Sequence, residues 1–251
     1  MSAGFPEDNP WGDRQLGDTD QELLDLVSEG ISFSNVPGVV FEYSNLGYAL
    51  LGRIISTVSG TPFQQYITEN IMIPIGMNDS RWEYDEVPKE QLALGYEWID
   101  NEWKEIPLLH DGSHASMGGL ICSIDDFGKY VAFHLSAWPP RNGADNGPVR
   151  RGTLREMHQP WRFTNLLPNA RRRGGEICPV VVGYGYGLRW QKNCNGMVRI
   201  SHAGGLPGFG SEWSIYPEYG IGVVSFSNHT YGGLGATNGL VLDTLIAVAG
   251  L

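Results

Sequence analysis

The 251-residue sequence predicts an α+β fold: an antiparallel β-sheet flanked by helices, with a mainly helical subregion. Three observations carry this. Apolar residues recur at helical spacing through much of the first two-thirds of the chain. Short β-branched and aromatic runs, separated by turn residues, take over in the last third. A last apolar run then returns to helical spacing.

The elements follow in order. Thr19-Asp20-Gln21-Glu22 is a capping box, in which hydroxyl and carboxylate satisfy free backbone N–H groups. It opens a short helix through Leu23, Leu24, Leu26 and Val27 that stops near Gly30. Asn45 begins a stronger helix. Its apolar stripe is Leu46, Leu50, Ile54 and Val58, widened by Leu51 and Ile55, and Gly60 ends it. Thr61-Pro62 supplies an N-cap and a proline at the first position of a helix reaching about Ile71. Ser123 starts another through Phe127, Val131 and Leu135. Residues 139–175, rich in Pro, Gly, Asn and Arg, read as a long surface excursion. Val180–Gln191, Met197–His202, Glu212–Pro217 and Ile221–Ser227 read as strands, the last two joined by a hairpin turn at Pro217–Gly220. Thr237 to Ala249 closes the chain as a helix with Leu240, Val241, Leu245 and Val248 on one side. One domain over 1–251 is expected, helical over about 1–175 and sheet plus C-terminal helix over about 176–251.

Composition excludes several function classes. A formal charge of −11 argues against nucleic acid, because phosphate binding needs a basic surface. The one basic run, Arg171-Arg172-Arg173, reads as a solvated loop. No stretch approaches the length of a membrane span. Three cysteines are too few and too scattered for a disulfide framework or a zinc site; Cys178 and Cys194 can pair, which leaves Cys122 odd. No metal or cofactor is expected. His110-Asp111 and His114 lack the spacing of a metal site. Gly183-Tyr184-Gly185-Tyr186-Gly187 lacks the lysine and helix of a phosphate loop. No Gly-x-Ser-x-Gly elbow is present. Trp11, Trp161, Trp190 and Trp213 can line a cleft, although large aromatics more often fill a core.

The chemistry-bearing residues are few. Tyr43-Ser44-Asn45 stands at the mouth of a helix. A phenol titrates near pH 10, but a cation or a helix N-terminus favours the phenolate, which can take a proton from a hydroxyl. Asn45 offers a donor and an acceptor on one amide, suited to holding a lysine and a substrate carbonyl together. His202-Ala203-Gly204-Gly205 ends a strand, and its glycines let a substrate lie along a strand edge. The Gly205 N–H can point at a developing oxyanion, and His202 supplies a titratable donor or cation. Taken singly, these motifs also fit a half-buried aromatic beside an N-cap, and a glycine-rich turn with a surface histidine. Ala115-Ser116-Met117-Gly118-Gly119-Leu120 lies between them.

In this order and on these elements, the three motifs resemble the serine β-lactamase and penicillin-binding-protein superfamily, in its class C-like, esterase-containing branch. The resemblance implies a β-lactamase/transpeptidase-like fold and acyl transfer from an ester, amide or peptide to serine, then to water. It implies that Tyr43 is a general base working with a lysine, and that Asn45 orients that lysine and the substrate amide. His202 would stand where many members carry the lysine of Lys-Thr-Gly, and Gly205 would serve the oxyanion hole. Gly204 and Ser116 are further substrate-binding candidates. Two departures matter. His202 titrates near neutrality, which turns the expectation from β-lactams towards esters or peptides. The family's Ser-x-x-Lys nucleophile motif is absent: none of the four lysines (Lys89, Lys104, Lys129, Lys192) follows a serine or threonine by three positions. The opening Met1 to Pro6 reads like the interior of a domain. The expectation is therefore an N-terminally truncated chain whose first strands and nucleophile helix are missing. Alone it would be inactive and would self-associate through an exposed sheet edge. The alternative is a non-catalytic binding or scaffold module with a vestigial cleft.

Overall fold

A computed structural model describes residues 1–8, 12–172 and 174–250. Trp11 and Arg173 lie outside the described residues. The first half holds α1 (Asp20–Ser28), α2 (Asn45–Ser59), α3 (Phe63–Ile67) and α4 (Ile73–Ile75). A hairpin of β1 (Gly95–Ile99) and β2 (Glu102–Ile106) follows, then α5 (Ile124–Leu135) and α6 (Arg151–Met157). The main sheet is antiparallel and has six strands in chain order: β3 (Arg162–Leu167), β4 (Val180–Tyr184), β5 (Arg189–Asn193), β6 (Val198–Leu206), β7 (Phe209–Tyr216) and β8 (Ile221–Ser227). Helix α7 (Gly235–Ala249) closes the chain. The α+β plan is as expected.

Alternation along β7 divides the core. Trp213 and Ile215 face α5 and pack with Val131, Leu188 and Ile200. Tyr216 faces the other way and packs with Leu242 and Ile246 of α7. Arg199 joins Glu212 at 2.8 Å on this second face, and its Nε donates to the buried Ser214 hydroxyl at 2.9 Å. Such a pair avoids the cost of an uncompensated buried charge.

Several sequence expectations need correction. The stretch 180–191 is two strands, because Gly185 N–H bonds the Leu188 carbonyl and Gly187 turns the chain with φ +74°. The His202–Gly205 motif lies inside β6 and does not end it, since pairing with β7 carries the strand to Leu206. Residues 139–175 contain α6 and β3, so the sheet begins before residue 176. The β1–β2 hairpin was not foreseen. Its signal is Asp100-Asn101, both with φ near +60° as a tight hairpin turn requires. Pro62 caps α3, without a side-chain bond from Thr61, and the helical run continues through a π-turn over Thr68–Met72 to Ile75. In α2 the buried face is Asn45, Leu46, Ala49 and Gly52, while Leu51, Ile54 and Val58 are exposed. In α7 the expected stripe of Leu240, Val241, Leu245 and Val248 is exposed, and Asn238, Leu242 and Ile246 face the sheet. Asn238 is drawn inward because its amide donates to the Glu212 carbonyl and accepts from Ser225. The capping box and the helix start at Ser123, by contrast, form as read. Thr19 and Glu22 satisfy each other's backbone N–H groups, and Ser123 caps α5.

Cys178 and Cys194 form a disulfide across a sequence separation of 16 residues, tying the segment before β4 to the β5–β6 turn. Closing a loop of this length restricts the unfolded chain by roughly 3 kcal/mol. Cys178→Ser should therefore lower stability by about that amount in urea denaturation, and a reductant should destabilise the wild type equally.

Candidate active site

Tyr43 directly precedes the N-cap of α2 and is half-buried. The adjoining helix end is already occupied. Ser44 is its N-cap, accepting from Gly47 N–H at 3.2 Å. The Asp8 carboxylate accepts from the backbone N–H groups of Asn45 and Leu46, each at 2.7 Å. This carboxylate offsets the positive helix terminus that would otherwise favour a phenolate. Tyr43 is accordingly pushed above the ordinary phenol pKa, first by burial and then by Asp13, Asp8 and Glu7; Arg189 opposes this only weakly. The sequence expectation of an activated phenol is thus not met by the described residues, because the helix end is neutralised and the nearest charges are acidic. Asp8→Ala should fray α2 and cost about 2 kcal/mol, measured by urea denaturation, since it removes a charged cap on two N–H groups.

Asn45 follows on the first turn of α2 and is almost wholly buried. Its Nδ2 has no hydrogen-bond partner among the described residues. Gly12 lies directly against this amide, where a Cβ would stand 2.6 Å from the Asn45 Cβ. Ser116 sits on a short 3-10 turn, Ala115–Met117, pressed onto α2 at Gly52. Its hydroxyl donates to the Tyr48 carbonyl at 2.9 Å, which fixes the turn and leaves Ser116 only acceptor capacity.

His202 stands opposite Trp213 in the β6–β7 register. Its Nε2 is 2.8 Å from the Tyr184 hydroxyl. Burial holds its pKa below the ordinary histidine value, and nearby Arg189 adds to this. His202 is therefore a neutral hydrogen-bonding group at pH 7, and not the near-neutral cation that its type suggested. Tyr184 was read only as part of a packed glycine-rich strand, and no local signal marks its role. Beyond Ser201 the β5 partner stops, so, among the described residues, 202–206 pair only with β7. Gly204 and Gly205 thus lie on a strand edge that is open on one side.

Tyr43, Asn45, Ser116 and His202 line one cavity of about 320 Å³. Its remaining wall is mostly apolar and comes from the helical part and α5 as well as the sheet, including Ile71, Met72, Trp82, Leu120, Phe127 and Trp213. Of the tryptophans named above, Trp213 lines the cavity, Trp190 packs in the core beside it, and Trp161 is exposed. His110 is engaged by Tyr84 and Glu83, and His114 is buried beside Ser113. Among the described residues no group of three or more His, Cys, Asp or Glu side chains could hold a metal, and no helix is long and apolar enough to cross a membrane.

Gly204 and Gly205 are not among the residues that line the cavity. An antiparallel sheet with a Tyr-Ser-Asn helix mouth, and a cavity that joins it to His202 of a glycine-rich strand, defines a penicillin-binding-protein-like architecture. The family model for β-lactamase matches residues 1–246, and the chain belongs to this family of hydrolases. It is 33% identical over 141 residues to β-lactamase-like protein 2 of Dictyostelium discoideum, covering 55% of this chain and 26% of that protein. It is 24% identical over 200 residues to an unguisins hydrolase of Aspergillus campestris, covering 78% of this chain and 34% of that one. Among solved structures, the octameric penicillin-binding protein homologue from Pyrococcus abyssi superposes with a TM-score of 0.77 at 25% identity, over 98% of this chain and 54% of that chain. The chain thus spans well under two-thirds of the length of each of these relatives.

Proposed function

We propose that this chain is part of an acyl-serine hydrolase acting on esters, amides or peptides, with the nucleophile and its lysine supplied by a segment outside the sequence. The observation that carries this reading is the orphaned Asn45 amide. A buried N–H pair without an acceptor is costly, and in a cavity it asks for a group that is not yet there. The rest of the site asks for the same things. Tyr43 among carboxylates needs a cation to become a base, and a lysine would provide it. The apolar cavity wall suits the buried face of a helix.

The roles then follow from chemistry. The lysine-assisted Tyr43 phenolate takes the serine proton and returns it to the leaving group. Asn45 orients the lysine and the substrate carbonyl, and the Gly205 N–H faces the oxyanion. Gly204 keeps the strand edge open to the substrate. The neutral His202, held by Tyr184, offers a hydrogen bond and not a charge, which favours substrates lacking a carboxylate at that position. In the same reading, the free edge of β8 and the exposed side of α7 receive the absent strands, and the chain alone self-associates there.

The test is covalent labelling. With the upstream segment restored, a fluorophosphonate should label a serine stoichiometrically, and the 251-residue chain should remain unlabelled. An unlabelled complete protein would refute the reading.

A further inference from the structure

We infer that the outer face of the β1–β2 hairpin binds a quaternary ammonium group, the trimethylammonium end of a choline-like solute, between Trp98, Trp103 and His229. None of these three residues lines the cavity, and the site does not depend on the hydrolase reading.

The hairpin carries its most apolar pair on the side facing water. Alternation and register put Tyr96, Trp98, Trp103 and Glu105 on one face and Gly95 and Ile106 on the other. Gly95 is pressed onto the β6–β7 turn, where a Cβ would stand 2.7 Å from the Gly208 Cα, and Ile106 lies beside the same glycine. That face meets the body of the protein, so the tryptophan face points away from it. Trp98 is 54% exposed and Trp103 57%. A cross-strand tryptophan pair can clasp a hairpin, but a clasp needs only two rings. Here His229, from the loop after β8, adds a third, with its centroid 5.9 Å from that of Trp103. Its loop is clamped onto β1, since Tyr96 N–H donates to the Asn228 carbonyl at 3.0 Å and Thr230 N–H to the Tyr96 carbonyl at 2.8 Å. The three rings are thereby positioned before any ligand arrives, and exposed aromatic area of this kind marks a binding surface.

Ring geometry selects the shape of the ligand. Trp98 and Trp103 meet at 68° with centroids 5.1 Å apart, and Trp103 and His229 meet at 56°. Rings at such angles form a corner, which suits a compact, rounded group touching two faces at once. A flat sugar ring needs one broad shelf instead. The local field selects the charge. The hairpin carries four carboxylates, Glu97, Asp100, Glu102 and Glu105, against one lysine, Lys104, in a chain of net charge −11. Lys104 lies on the opposite face and is engaged by Asp100 at 3.2 Å and Glu102 at 3.4 Å. Glu105 takes the next position after Trp103 on the tryptophan face and enters no ion pair among the described residues. A cation within about 6 Å of a ring centroid is drawn to the ring face, and the carboxylate adds to that attraction. A quaternary ammonium has no N–H to keep hydrated, so it gives up least by leaving water for the corner.

Calorimetric titration of the 251-residue chain with choline tests the site, with dimethylbutanol, the neutral carbon isostere of choline, as the control. Choline should bind in the millimolar range and roughly tenfold more tightly than the isostere. Trp103→Leu should remove this preference while urea denaturation shows the fold retained. If Trp103→Leu does not fold, Glu105→Gln serves in its place and should weaken choline by about threefold without changing the isostere. Equal affinity for choline and its isostere would assign the face to an apolar partner. Binding of cellobiose in place of choline would make it a sugar platform, and retention on phosphatidylcholine vesicles without binding of free choline would make it a membrane contact. Self-association reduced by Trp103→Leu, without choline binding, would make it a contact between copies. Each of these results, or no binding of choline at all, would overturn the site.

Discussion

Lowering the pH from 7 towards 4 is expected to destabilise this protein severely, through two histidines that sequence reading left unremarked. His134 on α5 and His158 after α6 are both almost completely buried. The indole N–H of Trp138 donates to His158 Nδ1 at 2.9 Å. Indole is only a donor, so His158 must carry its proton on Nε2, and that N–H faces His134 Nδ1 at 2.8 Å. The relay works only if both rings are neutral, since an added proton at either Nδ1 sets donor against donor. Burial pushes His134 down to about 3, with His158 contributing, and His158 down to about 4. The unfolded chain binds these protons from about pH 6.5 and the folded chain does not. Stability is therefore whole above that pH, is lost as pH falls through the window between the unfolded and folded values, and is down by on the order of 5 kcal/mol near pH 4. Raised carboxylates such as Asp13 and Glu212 act in the opposite sense, so the comparison needs a variant. Urea denaturation across pH should be steep for wild type and markedly flatter for His134→Phe with His158→Leu. Parallel curves would refute the relay. Because the His134 ring lies 5.1 Å from that of Trp213, which lines the cavity, acid loosening should reach the site early.

The second large effect concerns Tyr43. Under the proposed function, Tyr43→Phe in the protein with the upstream segment restored should lower kcat by about a thousandfold, the scale of a lost general base, with little change in KM. The hydroxyl leaves and the ring stays, so the fold is retained. The pH profile makes the role specific. Asp13 and Asp8 oppose the phenolate, so Asp13→Asn should shift the acidic limb of kcat, where the base loses its proton, to lower pH while Tyr43 remains. An unchanged profile together with an active Tyr43→Phe enzyme would assign the proton transfer elsewhere.

Much of the fold was legible because its signals are local. Thr19 with Glu22, Ser44, Ser123, Gly60 and Pro217–Gly220 each determine a cap or turn within four residues, and all behave accordingly. Helix faces were less legible. The stripe on α7 was read as one side of a helix, and that side turned outward, because burial was decided by what Asn238 could bond across the sheet. The β6 boundary was misread for a similar reason. Glycines weaken a strand locally, yet continuous pairing with β7 holds His202 to Leu206 in register.

The sequence by itself determined the α+β class and the family, since both rest on short motifs in a particular order along the chain. It also determined that Tyr43, Asn45 and His202 belong together and that no Ser-x-x-Lys accompanies them. Only the tertiary structure decided their electrical state. Asp8 reaches across 37 residues to cap the helix beneath Tyr43, Tyr184 reaches 18 to hold His202, and Tyr231 reaches 218 to hold Asp13. Protonation depends on burial and on charges within a few ångströms, and those neighbours are gathered from segments whose separation along the chain carries no record of their meeting.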